Sequence, residues 1–186
     1  MFSPGIERAL RVALSAHEGQ LRKSLEPVPY VVHPLHVALI LARLGADDVV
    51  LQAGLLHDVV EDCDGWTHER IEREFGGDVR AIVAELSEDK SKSWAERKQW
   101  AIDHVQHMSA EAVTVKAADK LHNLKTLLLE LESAGDRATV WSKFKGGRER
   151  TIAMSSELVN ALAARVDVRL GAELRATMDA IARMRA

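Results

Sequence analysis

Apolar residues recur at helical spacing through nearly every segment of this chain, whereas alternating β-branched runs bounded by turns are scarce. Alanine, leucine, glutamate and arginine dominate, all of them residues that lose little on entering a helix. The pattern predicts an all-α fold, a bundle of about eight to ten helices. A chain of 186 residues fits one domain, residues 1–186, with a sizeable core, and no internal repeat or long linker divides it. With 47% hydrophobic and 28% charged residues, the chain has enough apolar surface to offset the entropy of ordering, so disorder is excluded.

Punctuation residues set the expected helix ends. Pro4 and Gly5 precede a first helix through about His17, and Gln20 to Pro29 reads as a polar loop. His33 before Pro34 is expected to cap a helix running to Leu44, ended by Gly45. Asp47 caps the next helix, which is read as continuous through the 57–62 stretch and closed at Asp64-Gly65. Thr67 opens a short helix that stops at Gly76-Gly77, and Asp78 is expected to cap another through about Leu86. A charged loop, Ser87 to Ser93, precedes a helix from about Trp94 to His107. Ser109 then caps a long helix through Ser133, terminated by Gly135. The remainder reads as a helix ending near Gly146-Gly147, a longer one from about Arg148, and a last amphipathic helix after Gly171.

One segment contradicts its own pattern. Leu55-Leu56-His57-Asp58-Val59-Val60-Glu61-Asp62 has the apolar spacing of a buried helix, yet four titratable side chains interrupt it. Burying three carboxylates unpartnered costs several kcal/mol each, so something positive should hold them, and a divalent cation is the economical candidate. His33, His57, Asp58 and Asp119 make a coherent ligand set, of imidazole and carboxylate donors that suit Mn, Fe or Zn better than Mg or Ca. On the helix of Asp119, Asn123 and Thr126 continue a polar stripe among alanines and leucines, as a ligand-facing surface would. Glu61 and Asp62 are the acid-base candidates.

Charge and cysteine content exclude other classes. A formal charge of −3 argues against a nucleic-acid polymer as partner but leaves room for a local basic pocket. The single cysteine, Cys63, excludes an intrachain disulfide and a thiolate zinc site. Without an apolar run of the ~18 to 20 residues a membrane span needs, no membrane association is expected, and the expected location is cytoplasmic. The pattern leaves the oligomeric state open.

Several motifs, taken together and in order, resemble the hydrolase domain of RelA/SpoT-type alarmone enzymes. They are His17-Glu18-Gly19-Gln20-Leu21-Arg22-Lys23 with Pro29-Tyr30-Val31-Val32-His33-Pro34, then Ala53 to Asp62, Phe75-Gly76, Glu96-Arg97-Lys98, and Val115 to Leu124. The resemblance covers roughly residues 6 to 162 and is to the small, stand-alone hydrolases of the HD-domain type. It implies a single Mn²⁺ held by His33, His57, Asp58 and Asp119, with Fe or Zn as other occupants. It implies catalytic roles for Glu61 and Asp62, with Glu61 preferred for handling water, and nucleotide contacts from Arg22, Lys23, Ser24, Asn123 and Thr126. The implied reaction removes the 3′-pyrophosphate of guanosine tetra- or pentaphosphate, leaving GDP or GTP. Three alternatives stay open: hydrolysis of an adenosine counterpart, hydrolysis of a mononucleotide or phosphorylated dinucleotide, and a nucleotide sensor without turnover. Ala153, Met154 and Ser155 stand where many short relatives carry aromatic residues.

Overall fold

A computed structural model describes residues 2–24 and 27–184. Among them the helices are α1 (Pro4–Ala16), α2 (Val32–Arg43), α3 (Asp48–Leu56), α4 (Val59–Asp62), α5 (His68–Phe75), α6 (Gly77–Leu86), α7 (Trp94–His104), α8 (Ala110–Ser133), α9 (Arg137–Trp141), α10 (Gly147–Ala163) and α11 (Val168–Arg183). Because α4 is a single turn continuing α3 after a break, they amount to ten helices, within the expected number. A 3-10 turn over Val105–His107 tightens the end of α7, where one α-helix had been expected to run through. No helix among the described residues is long and apolar enough to cross a membrane.

The bundle is organised on α8. Its N-cap Ser109 accepts from the Ala112 amide, as its sequence position predicts, while the Ser109 amide donates to the Glu85 carboxylate at 2.7 Å. About 36 Å long at 1.5 Å per residue, α8 spans the molecule. It packs against α2, α3, α6, α10 and α11. The small residues Ala112, Ala117 and Ala118 are fully buried along it, which lets neighbouring helices approach a helix that also carries Asp119.

Close approach also brings α3 onto α2. A Cβ added at Gly54 would lie 2.5 Å from Leu41 Cδ1, so only glycine permits this packing. Leu41, Leu55 and Leu56 are essentially solvent-free there. Each stabilises the fold by about 1.5–3 kcal/mol through burial alone. The contact sets the C-terminal part of α3 against the middle and C-terminal half of α2, at Val37 and Leu41.

Several expected boundaries move, each for a local reason. The first turn of α2 begins at Val32, so His33 lies inside the helix and Val31 caps it. Gly76, at φ 91°, both ends α5 and opens α6, placing Asp78 in the first turn of α6 instead of at its cap. The helix expected to end near Gly146-Gly147 stops at Trp141. Asp167 caps α11 from Val168, so Gly171 falls within the helix. An added Cβ there would meet the Ala163 carbonyl oxygen at 2.9 Å, so this glycine serves the packing of α11 on α10 and does not break the helix.

Candidate active site

The expected continuous helix through residues 57–62 is interrupted at His57-Asp58. In an unbroken ladder the Gly54 carbonyl would accept the Asp58 amide; here the His57 imidazole takes that carbonyl, Nδ1 to oxygen, at 2.8 Å. Asp58 accordingly sits at φ −96°, ψ −8°, between α3 and α4. At this break the side chains of His57 and Asp58 meet His33 of α2.

His33, His57 and Asp58 each offer a ligand atom within 4.8 Å of the other two, a buried cluster that could hold a metal ion. Asp58 Oδ2 lies 3.0 Å from His57 Nε2 and 3.5 Å from His33 Nε2. Asp119, reaching in from α8, places Oδ1 3.2 Å from His33 Nε2. The four residues proposed as ligands from sequence thus converge from α2, the α3–α4 break and α8.

The fit to a cation is visible at His57. Its Nδ1 is occupied by Gly54, and its Nε2 is buried with no hydrogen-bond partner despite the nearby carboxylate, an atom presented for coordination. In His33, Nδ1 meets His122 Nδ1 at 2.7 Å. With His33 as donor, its Nε2 is left as a lone pair facing the two aspartates. Burial above all holds His122 down at about 3, which keeps it neutral as that acceptor.

The charges respond to one another strongly. Burial disfavours a charged His57, but Asp58 and Asp119 outweigh it and push its pKa up to about 9. Burial opposes ionisation of Asp58 and Asp119 as well, yet the adjacent imidazoles hold both well below the usual carboxylate range. A proton on His57 offsets part of the charge of the two carboxylates, and a divalent cation, with imidazole and carboxylate donors, would take its place and offset the rest.

Sequence reading passed over some of the supporting residues. The Tyr30 hydroxyl donates to Asp58 Oδ2 at 2.6 Å and lies 3.5 Å from Asp62 Oδ2. Burial and then Asp58 push its own pKa far up, so it stays a donor. Tyr30 is placed by the 20–30 loop, closed by an isolated bridge between Leu21 and Pro29 and by the Tyr30 amide donating to the Gln20 carbonyl at 2.8 Å. His122, on α8, is another of these supporting residues. Its spacing of three from Asp119 leaves it only about 60° off that residue's direction, which was the available signal.

Glu61 and Asp62 are held from the 87–93 loop. Glu61 Oε1 accepts the Glu88 amide at 2.7 Å, and the Glu88 side chain is itself gripped by Lys98 at 2.9 Å and Arg97 at 3.4 Å. Burial raises the Glu61 pKa, and Asp58 and Glu88 add to the rise. Lys90 donates to Asp62 Oδ1 at 2.7 Å and to the Glu61 carbonyl. Glu61 lines the same inner chamber as the four ligand candidates, about 370 Å³ in volume, and Asp62 lines a broader outer one of about 850 Å³.

Arg22 and Asn123 belong to both chambers, with the guanidinium donating to Asn123 Oδ1 at 2.7 Å and Asn123 donating to Asp119 Oδ1 at 2.5 Å. Lys23, Ser24 and Thr126 line the outer chamber alone, Thr126 with its hydroxyl bonded to the His122 carbonyl at 3.0 Å. Lys98, Lys116, Lys120 and Lys145 make the inner chamber basic even though the chain is acidic overall. Burial pushes the Lys120 ammonium down to about 8, and it donates to Ser155 Oγ at 3.0 Å. Such a vault, with carboxylates at its floor and cations around its walls, suits a polyphosphate whose reacting phosphorus must come close to a cation.

Residues 9–149 match the model of the HD domain family. The chain belongs to the HD-domain family. Its HD pair is His57-Asp58, at the break between α3 and α4. Similar HD proteins include the guanosine-3′,5′-bis(diphosphate) 3′-pyrophosphohydrolase MESH1 of Xenopus tropicalis, 48% identical over 124 residues, which are 66% of this chain and 69% of that one. The Homo sapiens protein of the same name is 45% identical over 117 residues, 62% of this chain and 65% of its own length. A solved structure, described as a metazoan ortholog of SpoT that hydrolyzes ppGpp, superposes with a TM-score of 0.80 at 33% identity, covering 98% of this chain and 96% of that one. The RelA/SpoT-type resemblance read from the motifs therefore holds at the level of the whole HD fold.

Proposed function

We propose that this HD domain, over residues 1–186, is a metal-dependent pyrophosphohydrolase that removes the 3′-pyrophosphate of guanosine tetra- or pentaphosphate and leaves GDP or GTP. The observation that supports it best is the buried His57 Nε2, which makes no well-aligned hydrogen bond and lies 3.0 Å from Asp58 Oδ2, gathered with His33 and Asp119 at the floor of a chamber walled by lysines. Relatives named for this activity support it further, at 45–48% identity.

His33, His57, Asp58 and Asp119 would hold one divalent cation, and Mn²⁺ is our assignment. When bound, it supplies Lewis acidity toward water and a phosphoryl oxygen. Glu61 would accept the proton of the attacking water, its carboxylate being fixed by the Glu88 amide and its basicity raised by burial. Asp62, tied to Lys90, would orient that water or a ligand at the chamber mouth. Arg22 and the lysines of the inner chamber would balance charge on the polyphosphate, and Asn123 would set the direction of both Arg22 and Asp119. Lys23, Ser24 and Thr126 would contact the rest of the nucleotide in the outer chamber.

The test offers the purified protein, with Mn²⁺, guanosine tetraphosphate, its adenosine counterpart and simple mononucleotides. The reading expects GDP and pyrophosphate from the guanosine substrate. Phosphate released only from monophosphates would reject it.

A further inference from the structure

The nucleotide reading leaves open what receives the base. Three aromatic side chains line the two chambers, and two are already engaged. Tyr30 is bonded to Asp58 and has His17 on its ring at 4.7 Å and Arg22 at 5.5 Å. Phe144 packs on Trp141, ring centres 5.7 Å apart. The third, Trp94, lines both chambers, as the other two do, and has Gly146 and Arg150 beside its ring.

Trp94 is held as a platform would be. It is the first residue of α7, directly after a capping box in which Ser93 accepts the Glu96 amide at 3.3 Å and Glu96 accepts the Ser93 amide at 2.9 Å. The outer edge of its six-membered ring reaches Gly146, where an added Cβ would come within 2.8 Å of Cη2 and 3.4 Å of Cζ2 and Cζ3. The Arg150 guanidinium lies 5.1 Å from the ring centre, within cation–π range. In the same chamber α10 contributes Thr151, Met154 and Ser155, small or flexible residues that provide no aromatic surface of their own.

We propose that Trp94 is the stacking platform for the purine base, and that it sets affinity for the nucleoside end without touching the reacting phosphorus. This rests on the nucleotide reading of the site. An indole with a cation beside its ring, its outer edge fitted against a glycine and bordering an open volume, is suited to a flat π system; base stacking on aromatic residues tolerates any purine, so Trp94 should bind guanosine and adenosine forms alike.

The experiment compares wild type with Trp94→Ala, Trp94→Phe and Gly146→Ala, using Trp100→Phe as control because Trp100 stacks on His104 outside both chambers. For guanosine tetraphosphate, Trp94→Ala should raise KM roughly 5- to 150-fold, the range seen on removing one base-stacking aromatic, with kcat changed far less. Trp94→Phe should recover much of the loss. Gly146→Ala should raise KM by displacing the indole. Inhibition by inorganic pyrophosphate, which has no base, should be unaltered in all of them. Independently of turnover, GDP should quench tryptophan fluorescence in wild type and Trp100→Phe but not in Trp94→Phe. Quenching that persists in Trp94→Phe, or an unchanged KM in Trp94→Ala and Gly146→Ala, would overturn the proposal. Wild type that binds GDP with Trp94 quenching but releases no pyrophosphate would refute the hydrolase reading and leave the platform standing.

Discussion

Replacing Tyr30 by Phe removes one atom from the supporting shell of the proposed metal centre. The hydroxyl donates to Asp58 Oδ2 at 2.6 Å, and the ring, packed against His17 with centres 4.7 Å apart, should stay in place without it. Two effects oppose each other. The hydrogen bond withdraws charge from Oδ2, which weakens it as a ligand, but it also fixes a carboxylate that sits at a helix break. Hydrogen bonds to charged groups are worth about 1.5–3 kcal/mol, and loss of a group that orients a ligand typically weakens metal binding by about 10- to 100-fold. Those magnitudes agree with each other, so orientation should dominate. Calorimetric titration of Mn²⁺ into Tyr30→Phe should give a Kd about 10 to 100 times that of wild type at the same stoichiometry. Circular dichroism should show unchanged helix content. Equal or tighter binding would refute the orientation argument.

Gly54→Ala should cost about 1–3 kcal/mol by overpacking Leu41, lowering Tm by roughly 2–12 °C, and should weaken metal binding as α3 shifts from α2; scanning calorimetry that finds no change would contradict the close-packing account. Lys90→Met removes an exposed ion pair worth at most about 1 kcal/mol, so Tm should barely move while turnover falls as Asp62 loses its tether; a normal rate would leave Asp62 without the role proposed. Glu61→Gln should keep the metal and lower turnover by roughly 10²- to 10⁴-fold, and an unchanged rate would remove Glu61 from proton transfer. The pKa of Glu61 is raised from 4.5, first by burial, so the folded state holds this proton more tightly than the unfolded chain. Its contribution to stability is therefore full below the unfolded value and declines as pH rises through the raised one. Melting curves across that window should show a pH-dependent loss in wild type that Glu61→Gln lacks, and identical pH profiles would contradict the burial argument.

Features governed by neighbouring residues were legible in the sequence. Ser109, Asp47 and Thr67 cap the helices they were expected to cap, since a cap is made by a side chain and an amide three residues on. The four ligand candidates were legible for another reason: titratable groups among buried apolar ones need a cause, and His33, His57, Asp58 and Asp119 do converge. Less legible was anything decided by a contact distant in sequence or by competition for one carbonyl. The break at His57-Asp58 depends on the His57 ring taking the Gly54 carbonyl, and helical spacing alone cannot register that competition. His122 acquires its role only when α8 lies against α2 and its Nδ1 meets His33. Gly171 looks like a helix stop locally, but the crossing of α11 over the Ala163 carbonyl gives it a different purpose.

The claim on which these proposals depend is that side chains from α2, the α3–α4 break and α8 grip one cation together. Native mass spectrometry of protein loaded with Mn²⁺ and exchanged into a volatile buffer measures this directly. The account predicts one tightly held ion per chain in wild type and none in Asp119→Ala, with both proteins showing folded charge-state distributions. Wild type that holds no ion, or Asp119→Ala that holds it as firmly as wild type, would contradict it.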